Sequence, residues 1–207
     1  MMTPPTTQLS DRFAEALTYA FQLHRHQVRK INGTPYIGHL LSVTALVLAA
    51  GGDEDEAIAA LLHDALEDQG GIAIRAEIQH RFGEKVVAIV DGCSEVYTLP
   101  KPPWLERKQG YLDQLRQASL SVLRVSLADK LDNARSLVTD LAIYGEQMWQ
   151  VFKGGREQTL WFYQELITIY RQRLPGLQLT ELEQLIQILT ESAVAPQTDT
   201  IVGSLDH

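Results

Sequence analysis

His63-Asp64 followed by Glu67-Asp68 places one imidazole and three carboxylates within a short stretch of chain. At helical spacing His63 and Glu67, and likewise Asp64 and Asp68, stand one turn apart on neighbouring faces. The preceding run Ala57-Ile58-Ala59-Ala60-Leu61-Leu62 is wholly apolar, so this helix end is expected to be partly buried. Clustered buried carboxylates are costly unless a cation neutralises them, and the C-terminal end of a helix dipole favours a cation. Taken alone, an adjacent His and Asp is a weak signal, because a buried histidine ordinarily finds a hydrogen-bond partner. Two further residues strengthen it. His39 falls on a separate predicted helix, and Asp129 lies in the apolar run Leu127-Ala128-Asp129-Lys130-Leu131, where a lone carboxylate would be unfavourable. His39, His63, Asp64 and Asp129 together make a ligand set for one divalent cation with positions left open for water and substrate oxygens, as catalysis requires. Mixed nitrogen and oxygen ligation suits manganese, iron or zinc better than calcium, and does not choose among the three.

The elements that must bring these residues together are helical. Leu9, Phe13, Leu17, Phe21, His24 and Val28 recur at helical spacing, which predicts a first helix from a Ser10 cap to about Val28. After Asn32-Gly33-Thr34-Pro35 a second apolar helix carries His39 and stops at Gly51-Gly52. Asp53 and Glu56 read as a capping pair for a third, which closes at Gly70-Gly71 with His63-Asp64 near its end. Further helices are predicted over Ile74 to Phe82, Lys85 to Asp91, Glu106 to Ala118, Ser121 to Leu141, Gln147 to Arg173 and Leu179 to Leu189. The three prolines between Thr98 and Trp104 make a loop. With no sustained period-two alternation, the expectation is an all-α single domain of eight or nine helices over residues 9–175, a helical appendage over 176–195 and a disordered tail over 196–207.

Composition narrows the function. The 207 residues are 45% hydrophobic and 21% charged, the balance of a soluble globular chain, with no apolar run of bilayer length and no leader-like start, so a cytoplasmic location is expected. The single Cys93 can make no internal disulfide and reads as a small buried apolar residue. A net charge of −8 argues against a nucleic-acid partner. An acidic chain that handles a phosphorylated small molecule must gather its positive charge locally.

The order His39, His63-Asp64, Asp129 resembles the H…HD…D signature of the HD superfamily of metal phosphohydrolases. Finer features resemble its RelA/SpoT-type branch and the small alarmone hydrolases: His24-x-x-Gln27-x-Arg29-Lys30, Gly33-x-Pro35-Tyr36-Ile37-x-His39, Leu61-Leu62-His63-Asp64-x-x-Glu67-Asp68, Phe82-Gly83, and Leu127-Ala128-Asp129-Lys130-Leu131-x-Asn133-x-Arg135. The match runs from about Phe13 to Leu141. Three positions depart from the family pattern: His26 where Gly is usual, Leu40 where Pro is usual, and Gln69 where Thr is usual.

That resemblance implies a manganese-dependent hydrolase that removes the 3′-pyrophosphate of a guanosine nucleotide such as ppGpp. It implies that Glu67 and Asp68 position and deprotonate the attacking water. Arg29 and Lys30, just before a Gly-containing turn, would clamp phosphate oxygens. Asn133, one turn after Asp129, can reach the substrate beside the metal, and Arg135 braces either a carboxylate or the phosphates. His24 falls on the apolar stripe of the first helix and reads as a satisfied core histidine, while His26 and His80 read as surface residues. Trp104 with Lys101, Arg107 and Lys108 either stacks on a base and holds distal phosphates or closes a staple under the proline loop. Trp149, Phe152, Trp161, Phe162 and Tyr163 read as core or homodimer contacts. Two alternatives stay open: hydrolysis of another nucleotide (an adenosine alarmone, a nucleoside monophosphate or a phosphorylated dinucleotide), and a regulatory module that binds an alarmone without turnover.

Overall fold

The structure, a computed structural model, describes residues 7–95 and 100–192. Among them the chain is all-α: ten α-helices and one 3-10 helix, with a single isolated bridge between Val28 and Pro35 as the sole β pairing. The proline loop lies in part, and the 196–207 tail wholly, outside the described residues. No described helix is long and apolar enough to cross a membrane.

Local chemistry accounts for the helix ends that shape the site. In α1 (Asp11–His24) the Ser10 side chain accepts from the Arg12 N–H, and the helix stops at His24, four residues short of the Val28 expected from periodicity. Residues 25–36 instead fold back on themselves. Arg29 N–H donates to the Thr34 carbonyl, Tyr36 N–H to the Gln27 carbonyl, and the Asn32 side chain accepts from Thr34 N–H. Gly33 takes the tip at φ 69°, a conformation that L side chains rarely adopt. This turn returns the chain to α2 (Ile37–Ala49), which carries His39 on its first turn.

Asp53 and Glu56 form the expected capping box on α3 (Glu54–Leu62). The third helix expected to run on to Gly70 is broken at His63-Asp64, where Asp64 turns to φ −93° and ψ −3°, and α4 (Ala65–Gln69) follows as a separate short helix. With that break the described residues hold ten α-helices, against the eight or nine expected. The Gln147 to Arg173 segment is likewise divided, into a 3-10 helix (Gly145–Val151) and α9 (Gly155–Arg173), around Gly154-Gly155.

The long α8 (Leu120–Tyr144) is the axis of the fold, about 37 Å of helix against which α2, α3, α6 (Glu84–Cys93) and α10 (Leu177–Glu191) pack. Gly92 allows α6 to approach closely, since a Cβ there would come within 2.5 Å of Val122. The core below the site holds Leu40, Ile58, Leu61, Leu62, Leu66 and Leu131, all essentially inaccessible. Burial of each such side chain contributes about 1.5–3 kcal/mol and fixes the helices that carry the polar residues.

Candidate metal centre and active-site cleft

Three elements meet at one point. α2 brings His39, the end of α3 brings His63, and the middle of α8 brings Asp129; one ligand atom of each lies within 4.8 Å of the others, and all three are buried. Each imidazole is held by its far nitrogen. His63 Nδ1–H donates to the Ala60 carbonyl at 2.8 Å, and His39 Nδ1–H donates to Asp132 Oδ2 at 2.7 Å. Both Nε2 atoms are therefore turned inward, and among the described residues both are buried without a hydrogen-bond partner. Two orphaned ring nitrogens beside carboxylates fit a divalent cation, because a buried polar atom left without a partner is otherwise unfavourable.

Asp64 is nearby but on the rim. Its Oδ2 lies 3.1 Å from His63 Nε2 and 3.6 Å from His39 Nε2, its side chain is 22% exposed, and the Tyr36 hydroxyl donates to the same oxygen at 2.5 Å. Asp129 is turned the other way. Its Oδ1 lies 3.3 and 3.6 Å from the two imidazoles and accepts from Asn133, while Oδ2 accepts from Lys130 at 2.6 Å. Burial disfavours a charged His39 ring, but the surrounding Asp129, Asp132 and Asp64 carboxylates outweigh it and raise its pKa to about 9. His63 is raised well above its ordinary value by Asp64 and Asp129 against the same burial. Burial opposes charge on Asp64 and Asp129 too, yet neighbouring cationic groups, His63 for Asp64 and Lys130 for Asp129, hold both carboxyls well below their usual range. Without a metal, protons occupy the place of the missing charge.

The centre opens into a cleft of about 560 Å³ whose wall includes Asp64, Glu67, Asp68, Lys130 and Asn133. Lys30, Lys101 and Lys153 line it as well, so an acidic chain does concentrate positive charge here. Glu67 Oε1 accepts the Glu95 backbone N–H at 2.7 Å, and burial raises its pKa. The Glu95 carboxylate is in turn held by Arg107 and Lys108 of α7 (Trp104–Gln117). Burial opposes charge on both Glu95 and Lys108: the surrounding cations, Lys108 first, overcome it for Glu95, whereas for Lys108 it prevails and lowers the pKa. The Lys108 ammonium sits 4.4 Å from the centre of the Phe162 ring.

The model of the HD domain matches residues 16–157. The chain belongs to the HD-domain family. Curated relatives of this HD-domain protein include MESH1 of Xenopus tropicalis, a guanosine-3′,5′-bis(diphosphate) 3′-pyrophosphohydrolase 40% identical over 126 residues, which are 59% of this chain and 68% of MESH1. The enzyme of the same name from Aquifex aeolicus is 33% identical over 132 residues, 63% of this chain and 18% of its own. Among solved structures, a metazoan ortholog of SpoT that hydrolyzes ppGpp superposes with a TM-score of 0.72 at 28% identity, covering 88% of this chain and 97% of that one. The Listeria monocytogenes protein lmo0812 superposes at 0.64 with 30% identity, covering 74% and 99%.

The HD-domain fold brings most of the sequence-predicted site residues to one place, with two differences of detail. The Arg29 guanidinium lines the cleft but is already engaged, donating to Asp132 Oδ2 at 2.5 Å and Asn133 Oδ1 at 3.2 Å, while Lys30 is exposed at the mouth. Arg135 does not join the cleft; it braces a carboxylate, pairing with Glu181 of α10 through Nε at 2.7 Å and Nη2 at 2.9 Å. His26 and His80 are exposed. His24 is buried, with Nδ1 bonded to Gln27 but Nε2 lacking a partner among the described residues, so there it is only half satisfied. Trp104 and Phe162 line the cleft beside Lys108, and Trp149 is core.

Asp132, Tyr36, Lys130 and Glu95 were not assigned roles from the sequence. Asp132 was within reach of it, because residues 129, 132 and 133 share one face of α8. Glu95, just beyond α6, carried no local signal, since its importance comes from Arg107 and Lys108 on α7.

Proposed function

We propose that this chain is a metal-dependent hydrolase of guanosine 3′,5′-bis(diphosphate) that releases the 3′-pyrophosphate, with manganese as its divalent cation. The observation that carries the reading is the pair of partnerless imidazole nitrogens facing Asp129 at the end of a cleft lined by lysine and arginine. The names of the relatives at 33–40% identity support the substrate.

His39, His63, Asp64 and Asp129 would hold the cation, with Asp132 and the Ala60 carbonyl fixing the two rings. When bound, the cation supplies Lewis-acid charge at the phosphoryl oxygens and makes water a stronger acid. Glu67, whose carboxyl is raised by burial, takes a proton from the attacking water, and Asp68 at the cleft rim orients that water. The water oxygen bonds to the phosphorus attached to the ribose 3′-oxygen, the bond to that oxygen breaks, the proton taken by Glu67 passes to the freed 3′-oxygen, and pyrophosphate leaves. Lys30 and Asn133 line the cleft where they would contact the phosphate and ribose oxygens, Arg29 would join them beside its bonds to Asp132 and Asn133, and the cations toward α7 would face the 5′-diphosphate.

The test is turnover of a nucleotide panel with manganese, with phosphate and pyrophosphate release measured separately. Pyrophosphate release from guanosine 3′,5′-bis(diphosphate), leaving GDP, is expected. Faster hydrolysis of nucleoside monophosphates would make the protein a nucleotidase on the same scaffold, and tight binding of ppGpp without turnover would make it a regulatory module.

A further inference from the structure

Asp68 is exposed and sits on the five-residue α4, a poor platform for a carboxylate that must hold a water in line. Among the described residues its side chain makes one hydrogen bond: Gln27 Nε2 donates to Asp68 Oδ2 at 2.7 Å. Gln27 reaches it from the turn that follows α1, more than forty residues earlier in the chain. The Gln27 amide is oriented from behind. Its Oε1 accepts from Gln69 Nε2 at 2.6 Å and from His24 Nδ1 at 2.8 Å.

The directions of these bonds are determined by chemistry. A carboxylate only accepts, so the nitrogen of the Gln27 amide faces Asp68 and its oxygen faces the other two groups. The His24 proton is then on Nδ1, in agreement with a buried Nε2 that has nothing to bond. The same ring stacks on Tyr36, with centroids 5.6 Å apart and planes at 24°, and the Tyr36 hydroxyl donates to Asp64. One buried imidazole at the end of α1 thereby supports the residues that hold two acidic groups of the site. Gln69, a departure from the family pattern, contributes the second donor to the Gln27 oxygen.

We propose that His24, Gln27 and Gln69 form a clamp that positions the Asp68 carboxylate for its work on the attacking water. Gln27 is a positioning residue, acting through Asp68, and Gln69 and His24 act through Gln27. The proposal rests on the reading of Asp68 as the water-orienting carboxylate.

A double-mutant cycle tests it, run on the manganese-loaded protein with whichever nucleotide the parent turns over fastest. Gln27→Leu is expected to lower kcat about 10–100-fold with KM within about threefold, metal stoichiometry unchanged, and Gln69→Leu to have a smaller effect of the same kind. In an Asp68→Asn background, Gln27→Leu should cost less than about threefold, because the residue it serves is already disabled. An undiminished loss in that background, or a loss confined to KM, would overturn the clamp and make Gln27 a structural residue or a substrate contact. Nitrogen-15 NMR of the Gln27 side-chain amide supplies a readout independent of turnover. One amide proton should lie downfield and lose that shift in Asp68→Ala, and identical amide resonances in the two proteins would refute the clamp even if no nucleotide in the panel were a substrate.

Discussion

Replacing Asp132 by Asn should weaken metal binding without touching a metal ligand. The Asp132 carboxylate is only 12% exposed and serves three partners: His39 Nδ1 at 2.7 Å, the Arg29 guanidinium and the Ser42 hydroxyl, each at 2.5 Å. Its negative charge strengthens the His39 N–H bond, and with it the basicity of the inward Nε2. The amide can still accept from Nδ1, so the bond is weakened rather than lost. Charge-assisted hydrogen bonds contribute about 1.5–3 kcal/mol and neutral ones about 1, so the weakening of the bond behind His39 is roughly 0.5–2 kcal/mol. That corresponds to roughly a 2–30-fold loss of metal affinity, which overlaps the range of about 10–100-fold typical of partners behind a histidine ligand. Manganese affinity is measured by competition with a chelator at pH 7.5 on parent and variant, with circular dichroism to establish that both are folded. An unchanged affinity in a folded variant would mean that Asp132 does not govern the His39 ring, and the account of how the site is built would fail.

Three further outcomes are expected. Asp129→Ala and His63→Ala should abolish stoichiometric metal content by elemental analysis, whereas Asp64→Ala, altering the rim residue, should retain part of it; full occupancy in all three would remove the proposed centre. In the metal-free protein the His39 pKa is raised to about 9, so at neutral pH its ring carries the proton that a cation must displace; metal affinity should rise from pH 6 towards pH 9, with proton release visible by calorimetry in buffers of different ionisation enthalpy, and a pH-independent affinity would contradict the arrangement. Glu67→Gln should keep the metal and lower kcat about 10²–10⁴-fold, and because burial raises the Glu67 pKa the parent should lose activity on acidification earlier than an ordinary glutamate would allow; parental rates in the variant would reassign the base.

Much of the fold could be read in the chain because its signals are local. Apolar periodicity located the helices, and Ser10, the Asp53–Glu56 box and Gly51-Gly52 marked several of their ends. The misses share one cause. Periodicity carried α1 past His24 because Val28 fits the stripe, but the bonds from Arg29 to Thr34 and from Tyr36 to Gln27 compete with the helix and turn the chain back. The break at His63-Asp64 was equally invisible, since Asp64 leaves the helical path to meet Tyr36 from another segment.

By itself the sequence determined which groups can ligate a cation and which helices carry them, because residue type is chemistry and period is secondary structure. His39, His63, Asp64 and Asp129 were identified as a set on that basis, and three of them converge within 4.8 Å. Only the tertiary structure decided the direction of each side chain. Arg135, four residues beyond Leu131 on α8, pairs with Glu181 of α10 rather than facing the cleft, and Arg29 braces Asp132 and Asn133. Asp132 acquires its role only when α2 packs beside α8 and delivers His39 to it, a contact spanning 93 residues of chain. A face shared with Asp129 marks Asp132 locally, but its partner has no local signal, because the free energy that selects such long-range pairings comes from burying the surrounding apolar faces and not from the polar residues they bring together.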